Sequence, residues 1–212
     1  MIGIIGAMDI EVNNLKEKIE NKQTKTISGI EFVWGTIYNK EVVVAKCGIG
    51  KVFASICAQT MILNFNPEYI INTGVAGTLT TELSLCDIAI SEQVVQHDMD
   101  TSAIGDPVGL VSGINVIYFE ADKRAGEILL STAKELGLNA RLGRIASGDK
   151  FIASACDKAR IISTFAADAC EMEGCAVAQV AYVNGIPFAV VRALSDSADG
   201  EATMDYPTFL PI

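Results

Sequence analysis

Residues 186–200 read IPFAVVRALSDSADG, an apolar run that ends abruptly in hydroxyl and acidic side chains. The part from Phe188 to Val191 is β-branched and aromatic and too short for a helix, so it predicts a buried parallel strand. Ligands of open α/β sheets bind beyond the carboxyl ends of the strands, which here places Arg192, Ser195 and Asp196 at a candidate site. A polar turn that only caps a following helix is the alternative interpretation.

The composition predicts one α/β domain over residues 1–212. A chain of 212 residues, 50% of them hydrophobic and 20% charged, forms one sizeable core more readily than two. The formal net charge of -10 argues against a nucleic-acid partner, since gripping a phosphate backbone needs basic surface. No apolar run reaches the roughly 18 residues of a membrane span, so we expect no membrane partner. The mean hydropathy of +0.35 instead predicts a large core and a subunit interface.

The six cysteines show neither a C-x-x-C pair nor the spacing of a zinc site. A disulfide framework is not expected in a chain of this size, so the pattern predicts reduced thiols and a cytoplasmic location. We expect neither a metal ion nor an organic cofactor. A thiolate nucleophile at Cys47 or Cys170 is an alternative, weakened because His97 is the only histidine.

The chain alternates predicted strands and helices without a repeat or a linker. Predicted strands are Ile2 to Gly6, Thr24 to Ser28, Glu31 to Tyr38, Glu41 to Lys46, Tyr69 to Thr73, Asp87 to Val95, Ala140 to Ala146 and Ala169 to Met172. Predicted helices are Ile10 to Asn21, capped by Asp9, and Val52 to Asn64, Asp122 to Leu136, Ser154 to Phe165 and Cys175 to Val183. The three short runs after the first helix are typical of antiparallel strands, so the sheet should be mixed.

Three acidic residues occupy comparable positions at predicted strand ends: Glu11, Glu173 and Asp196. Glu173 heads a nearly all-apolar helix, and a carboxylate buried there must be paired, hydrogen-bonded or functional. Glu11 either acts chemically or only complements its helix dipole. Phe151, in a polar turn, either stacks on a planar ligand or packs as an ordinary aromatic. Convergent carboxylates beside an aromatic suit cleavage of a glycosidic bond, with one acid protonating the leaving group and another activating water.

Other motifs support weaker hypotheses. The tract Gly48-Ile49-Gly50-Lys51 lacks the spacing of a P-loop and predicts a tight turn whose backbone approaches a ligand. The small residues Gly74-Val75-Ala76-Gly77 also predict close backbone approach. His97 beside Asp98 suggests a base with its orienting acid, but adjacent strand residues point to opposite faces and no partner nucleophile is evident. The long irregular stretch that follows predicts a cover over a site or a subunit contact.

Seven motifs, in order along nearly the whole chain, carry a specific family resemblance. They are IGIIGAMDIEV, GIGKV, IINTGVAG, HDMD, SGDKFI, CEMEG and VVRALSDSAD, which begin at residues 2, 48, 70, 97, 147, 170 and 190. The set closely resembles bacterial 5'-methylthioadenosine/S-adenosylhomocysteine nucleosidases of the purine nucleoside phosphorylase superfamily. The resemblance implies a three-layer α/β/α sandwich around a mixed, partly barrel-like sheet. It also implies a homodimer.

The resemblance implies the following roles. Glu11 would activate the attacking water, and Asp196 would protonate N7 so that adenine leaves neutral. Ser195 would position Asp196, and Arg192 would brace the water and acid network. The remaining matching residues would bind substrate: Glu173 and Met172 at the ribose, Phe151 stacked on adenine, the Ile152 backbone at its edge, Met8, Ile49 and Val75 as apolar wall, and Tyr206 as a substrate-contacting aromatic.

Compared with the family pattern, this chain differs at three places. Val75 stands where many members have serine, while Ile104 and Ser112 stand where an aromatic and a proline are common. These last two lie in the 101–113 loop, which in the family reaches the neighbouring subunit's site. The family also continues beyond Ile212 into a final helix, so we expect that helix to be missing.

The implied activity is hydrolysis of methylthioadenosine, S-adenosylhomocysteine and 5'-deoxyadenosine, in methionine salvage and S-adenosylmethionine recycling. A phosphorolytic relative is the first alternative, although its phosphate would meet Glu11 and Asn72 where arginines are needed. A hydrolase of another adenosine-like nucleoside, such as aminodeoxyfutalosine, is the second. An inactive adenine-nucleoside-binding protein is the third.

Overall fold

The computed structural model describes residues 1–198, so Tyr206 lies outside the described residues. Ten strands are present in this part: β1 (Ile2–Gly6), β2 (Glu20–Ile27), β3 (Ile30–Ile37), β4 (Lys40–Lys46), β5 (Tyr69–Thr78), β6 (Ile88–Gln96), β7 (Phe119–Glu120), β8 (Ala140–Ser147), β9 (Ala169–Glu171) and β10 (Phe188–Asp196). Five α-helices accompany them: α1 (Asp9–Lys18), α2 (Lys51–Phe65), α3 (Lys123–Glu135), α4 (Ala155–Phe165) and α5 (Gly174–Val183). A short 3-10 helix, Ser102–Ile104, lies in the loop after β6.

The strands form one mixed sheet that is partly closed into a barrel. Its order is β10-β6-β8-β9-β5-β1-β4-β3-β2, and β10 also pairs with β5. Strands β5, β10, β6, β8 and β9 therefore close a ring, while β1 to β4 extend it as an open sheet. The pairs of β1 with β4 and β5 are parallel, and the β2-β3-β4 pairs are antiparallel. The predicted mixed, partly barrel-like sheet is confirmed.

Helices cover both faces of the open part of the sheet, and the side chains of β4 pack alternately against one face and the other. Val43 and Ala45 belong to the core cluster that includes α2 and the start of α5. Val42 and Val44 belong to a second cluster with Val12 of α1 on the opposite face. A strand of continuous apolar residues is what two helix layers require. The predicted α/β/α layering is confirmed.

Two strands run further than predicted, and this changes where the polar residues lie. β5 continues through Gly74–Gly77 to Thr78, and β10 continues to Asp196. Their register shifts near the end, since Leu194 pairs with Ala76 while Asp196 pairs with Gly77. Ser195 is thus the extra residue of a bulge, an irregularity that re-aims side chains. The candidate residues of β10 lie on the strand itself and not beyond it.

The predicted boundaries of the first helix were wrong at both ends. Met8, not Asp9, is the N-cap residue, and the Glu11 side chain accepts a hydrogen bond from the Met8 amide. Asp9 is the first helical residue and forms an ion pair with Lys46 at 2.7 Å. The helix ends at Lys18 because the chain turns directly into β2 at Glu20.

A buried ion pair ties three strands of the barrel together. Arg192 of β10 is 1% exposed, and its Nη2 lies 2.5 Å from Oε2 of Glu171 at the end of β9. The same guanidinium donates to the backbone oxygen of Asn72 on β5 at 3.0 Å and to the Asn72 side-chain oxygen. Each buried charge is therefore both paired and hydrogen-bonded, which is the condition under which burial of charge is tolerated.

Replacing one partner should be costly because the other charge stays buried. We expect Glu171→Gln to lower the free energy of unfolding by about 3–5 kcal/mol, measured by urea denaturation. The control Glu31→Gln breaks an exposed pair with Lys16 at 3.0 Å and should cost about 0–1 kcal/mol. Equal losses in the two variants would contradict a structural role for the buried pair.

Candidate active site

A cavity of about 220 Å³ opens where the carboxyl ends of β1, β5, β9 and β10 meet. Ten of the twelve residues that the sequence analysis placed at a site line this cavity. These are Met8, Glu11, Ile49, Val75, Phe151, Ile152, Met172, Glu173, Ser195 and Asp196, and the lining also includes Ala7, Ala76, Gly77, Lys150, Cys170 and Glu171. Arg192 is buried outside the lining, and Tyr206 is not among the described residues.

Backbone amides fix the carboxylate of Glu11. Its Oε2 accepts hydrogen bonds from the amides of Ala7 at 2.6 Å and Met8 at 3.0 Å, and its Oε1 accepts one from Val75 at 3.3 Å. Gly74 makes room for this carboxylate, since a Cβ atom there would lie 2.6 Å from Oε1. Position 74 on β5 therefore requires glycine, because the Glu11 carboxylate lies against it.

The bulge in β10 directs both Ser195 and Asp196 toward polar partners. The Ser195 hydroxyl donates to Oδ2 of Asp196 at 2.9 Å, and the Ala198 amide donates to Oδ1 at 2.8 Å. A Cβ atom at Gly77 would lie 2.7 Å from Oδ1, so β5 again accommodates an acid by omitting a side chain. The carboxyl group of Asp196 is oriented from both sides and still lines the cavity.

Glu173 stands at the N-cap of α5 and reaches across to the turn before α2. Its Oε1 accepts a hydrogen bond from the Gly50 amide at 2.8 Å. Burial and the neighbouring charge of Glu171 raise the pKa of Glu173 to about 7. Gly50 has a φ of 97°, a conformation that glycine adopts without strain. The Gly48–Lys51 turn thus binds carboxylates of the protein itself.

Glu171 was missed by the sequence analysis, which singled out only the second acid of the CEMEG motif. Its Oε2 accepts hydrogen bonds from the amides of Glu173 at 2.9 Å and Gly174 at 2.7 Å, and Ser147 donates to its Oε1. Burial raises the pKa of Glu171, but Arg192, Ser147 and the Glu173 amide outweigh this and hold the pKa below its ordinary value. The available signal was an acid ending an otherwise apolar strand.

Two alternative nucleophile or base hypotheses do not fit the geometry. His97 is 1% exposed and does not line the cavity, and burial lowers the pKa of its imidazole. Cys170 does line the cavity, but burial raises its pKa to about 12, so its thiol stays protonated. Within residues 1–198 no cluster of three or more acids, cysteines and histidines is arranged to hold a metal ion. No helix in the same range is long and apolar enough to cross a membrane.

The mouth of the cavity is apolar and exposed. Phe151 is 61% exposed and Ile49 is 58% exposed, whereas Ile152 is buried in the core beside α4. An aromatic face at an opening offers a stacking surface to a planar ligand. The cavity therefore has carboxylates at its base and apolar groups at its entrance.

The raised pKa of Glu173 predicts a pH dependence of folding. The folded protein holds the Glu173 proton more tightly than the unfolded chain does. The stability that this proton contributes is therefore fully present below about pH 4.5 and is lost as the pH rises toward 7. We expect Glu173→Gln to remove this decline. At pH 8 the free energy of unfolding of the variant should exceed that of the wild type by on the order of 1–3 kcal/mol. Urea denaturation at pH 4.5 and pH 8 measures it, with the exposed Glu17→Gln as control. A pH dependence identical to that of the wild type would contradict the assignment.

Comparison with known proteins places the chain in a family. Residues 1–210 match the family model described as the phosphorylase superfamily. The chain is 41% identical to a 5'-methylthioadenosine/S-adenosylhomocysteine nucleosidase of Shewanella halifaxensis, over 99% of this chain and 91% of that protein.

Solved structures agree with this placement. The Helicobacter pylori 5'-methylthioadenosine/S-adenosylhomocysteine nucleosidase with butyl-thio-DADMe-Immucillin-A superposes with a TM-score of 0.93 at 36% identity, covering 99% of this chain and 90% of that one. The futalosine hydrolase of H. pylori strain 26695 superposes with a TM-score of 0.93 at 37% identity and the same coverage. The chain belongs to the phosphorylase superfamily and, within it, to the 5'-methylthioadenosine/S-adenosylhomocysteine nucleosidases.

Proposed function

We propose that this protein hydrolyses the N-glycosidic bond of 5'-methylthioadenosine and S-adenosylhomocysteine, releasing adenine and the 5'-thio-substituted ribose. The observation that carries the proposal is the convergence of Glu11, Glu173 and Asp196 on one cavity with an aromatic at its mouth. The named activity of its relatives supports this substrate class, and 5'-deoxyadenosine offers the same bond. The reaction would serve methionine salvage and S-adenosylmethionine recycling, in the cytoplasm.

Glu11 is the proposed base. Three amides hold its carboxylate in a fixed direction, and Oε1, which accepts only one of them, keeps a lone pair for a water molecule. A base must lie within hydrogen-bond reach of the proton that it removes, and the lining position of Glu11 gives a water in the cavity that access. Glu11 takes a proton as the water oxygen attacks the anomeric carbon.

Asp196 is the proposed acid, and Ser195 is its positioning residue. When protonated, Asp196 donates to N7 of adenine, and the electrons of the breaking glycosidic bond pass into the purine ring. The base then leaves as a neutral molecule. The Ser195 hydroxyl and the Ala198 amide fix the direction of the carboxyl group, and pre-oriented groups need no reorganisation during the reaction.

Glu173 and Met172 are the proposed ribose contacts, with Phe151 and the Ile152 backbone at adenine. As the glycosidic bond breaks, the ribose gains oxocarbenium character, and a nearby carboxylate stabilises that positive charge. Met8, Ile49 and Val75 supply apolar wall at the same cavity. Arg192 contacts Glu171 and Asn72, so its proposed bracing of the water and acid network acts through those neighbours.

Water is favoured over phosphate as the nucleophile by the charges around the cavity. Lys150 is the only cationic side chain in the lining contributed by the described residues, and no arginine is part of that lining. A phosphate anion would meet the Glu11 carboxylate without the arginines that bind phosphate bidentately. The likeness to a futalosine hydrolase keeps a related nucleoside, such as aminodeoxyfutalosine, as a second candidate substrate for the same chemistry.

The hydrolase proposal is tested by adenine release from methylthioadenosine with and without phosphate. We expect release in both conditions, and a loss of about 10²–10⁴-fold in kcat for Glu11→Gln and Asp196→Asn, the usual contribution of a positioned acid or base. Asp9→Asn is the matched control, because Asp9 lies in the same helical turn but pairs with Lys46 at the surface. Release only with phosphate would make the chain a phosphorylase. Adenine binding without release would make it a binding protein.

We also propose a homodimer formed through the exposed apolar face of α2, with the 101–113 loop near the neighbouring site. Val52, Phe53 and Ile56 are exposed along one side of the helix, and Ile49 continues this face to the cavity mouth. Ile104 of the 101–113 loop is also exposed. A contiguous apolar patch of this kind is typical of a protein interface.

Sedimentation velocity tests the dimer. We expect the wild type to sediment at twice the chain mass of 22.5 kDa and Val52→Glu to dissociate, because a charge would be buried in the interface. Ile128→Glu is the control, since Ile128 is comparably exposed but lies on α3. A monomeric wild type, or a Val52→Glu variant that stays dimeric, would contradict this interface.

A further inference from the structure

The first acid of the HDMD motif joins two loops that flank the cavity. Asp98 Oδ1 lies 2.7 Å from the Nζ atom of Lys51, the first residue of α2. Asp98 Oδ2 accepts a hydrogen bond from the Asp149 amide at 2.8 Å. Asp149 precedes Phe151 and Ile152 by two and three residues. One carboxylate thus connects the start of α2 with the segment assigned to adenine.

A second set of contacts closes the connection. The Lys51 amide donates to Oδ1 of Asp149 at 2.7 Å, and the preceding Gly50 amide donates to Glu173 at 2.8 Å. Successive amides at the start of α2 therefore bind the carboxylates of two distant segments, Glu173 and Asp149. The N-terminus of a helix favours negative charge because its free amides and its dipole both point there.

The Lys51 side chain is itself held in place. Its Nζ donates to Oε1 of Gln96 at 3.0 Å, and Nε2 of Gln96 donates to Gln179 at 2.5 Å. Burial raises the pKa of Asp98, but Lys51 and the Asp149 amide outweigh this and hold the pKa below its ordinary value. Asp98 is therefore charged at neutral pH, and its pair with Lys51 is partly shielded, with side-chain exposures of 28% and 20%.

The hydrogen bond between the Asp149 amide and Asp98 restrains the backbone just before Phe151. Phe151 is exposed and lies between the Asp149 amide on one side and buried Ile152 on the other. An exposed aromatic gains little positional restraint from packing, so its direction depends on the backbone that carries it. Loss of Asp98 would remove the acceptor of the Asp149 amide and leave the backbone just before Phe151 with fewer restraints, among them the Lys51 amide on the Asp149 side chain and buried Ile152.

We propose that Asp98 and Lys51 are positioning residues that clamp the 147–152 segment to the start of α2 and thereby set the affinity for the adenine half of the substrate. We call Asp98, Lys51 and Asp149 the loop clamp. The consequence for affinity rests on the proposed function, which assigns adenine to Phe151 and Ile152. Neither Asp98 nor Lys51 lines the cavity, so neither touches the reacting atoms.

Kinetics and product binding test the effect on the site. We expect Asp98→Ala and Lys51→Met each to raise KM for methylthioadenosine and the Kd for adenine about tenfold, with kcat within about threefold, because the loss falls on binding. Asp98→Asn keeps an oxygen for the Asp149 amide and should recover part of the affinity. The double variant should lose less than the sum of the two single losses, since the two side chains act in the same clamp.

The control is Lys16→Met. Lys16 pairs with Glu31 at 3.0 Å and has a side-chain exposure of 15%, close to that of Lys51, but it lies on α1 away from the cavity lining. This variant should leave KM and adenine affinity unchanged. A similar loss of affinity in Lys16→Met would show a general effect of removing an ion pair and would overturn the proposal.

Hydrogen–deuterium exchange tests the clamp without relying on any activity. In the protein without ligand, amides of residues 147–152 should exchange about tenfold faster in Asp98→Ala and Lys51→Met than in the wild type, with α1 unchanged. Unchanged exchange in that segment would overturn the clamp even if the enzyme is active. Faster exchange in the two variants, together with a wild type that neither binds adenine nor hydrolyses the substrate, would support the clamp and sink the proposed function. Faster exchange with unchanged KM and adenine affinity in an active enzyme would overturn the positioning role.

Discussion

The buried charge of Arg192 is the constraint on which the site depends. It neutralises Glu171 at 2.5 Å and holds Asn72 of the adjoining strand. With that cation in place, Glu171 keeps a lowered pKa, while Glu173, two residues later, has its pKa raised to about 7 by burial and by the charge of Glu171. The charge that Arg192 stabilises on Glu171 is therefore one of the causes of the raised pKa of Glu173.

The Arg192 interaction also anchors the acidic part of the site to the sheet. Glu171 ends β9 and Arg192 lies inside β10, so their pairing fixes two strands of the barrel against each other. Glu171 in turn accepts the amides that begin α5, which sets the direction of Glu173. Ion pair, strand and helix start are therefore one unit, and functional groups carried on rigid elements keep their geometry.

The sequence was sufficient for the order and type of most elements because the apolar periodicity is clear. It was also sufficient to choose ten residues that line one cavity. It was not sufficient for the strand ends, because the pairing of β10 with β5 carries both strands through polar or glycine-rich residues. The bulge at Ser195 and the ion pair of Glu171 depend on neighbours far away in the chain, and local patterns do not contain them.

The start of α2 shows how distant segments become one site. The amides of Gly50 and Lys51 are held by Glu173 and Asp149, which lie 123 and 98 residues further along the chain. These contacts use the free amides that every helix leaves at its N-terminus, so the helix gains a cap while the site gains two fixed carboxylates. The same turn carries Ile49 to the mouth of the cavity and continues into the apolar face of α2. One helix end therefore fixes Glu173, the segment that carries Phe151, and the start of the exposed apolar face of α2.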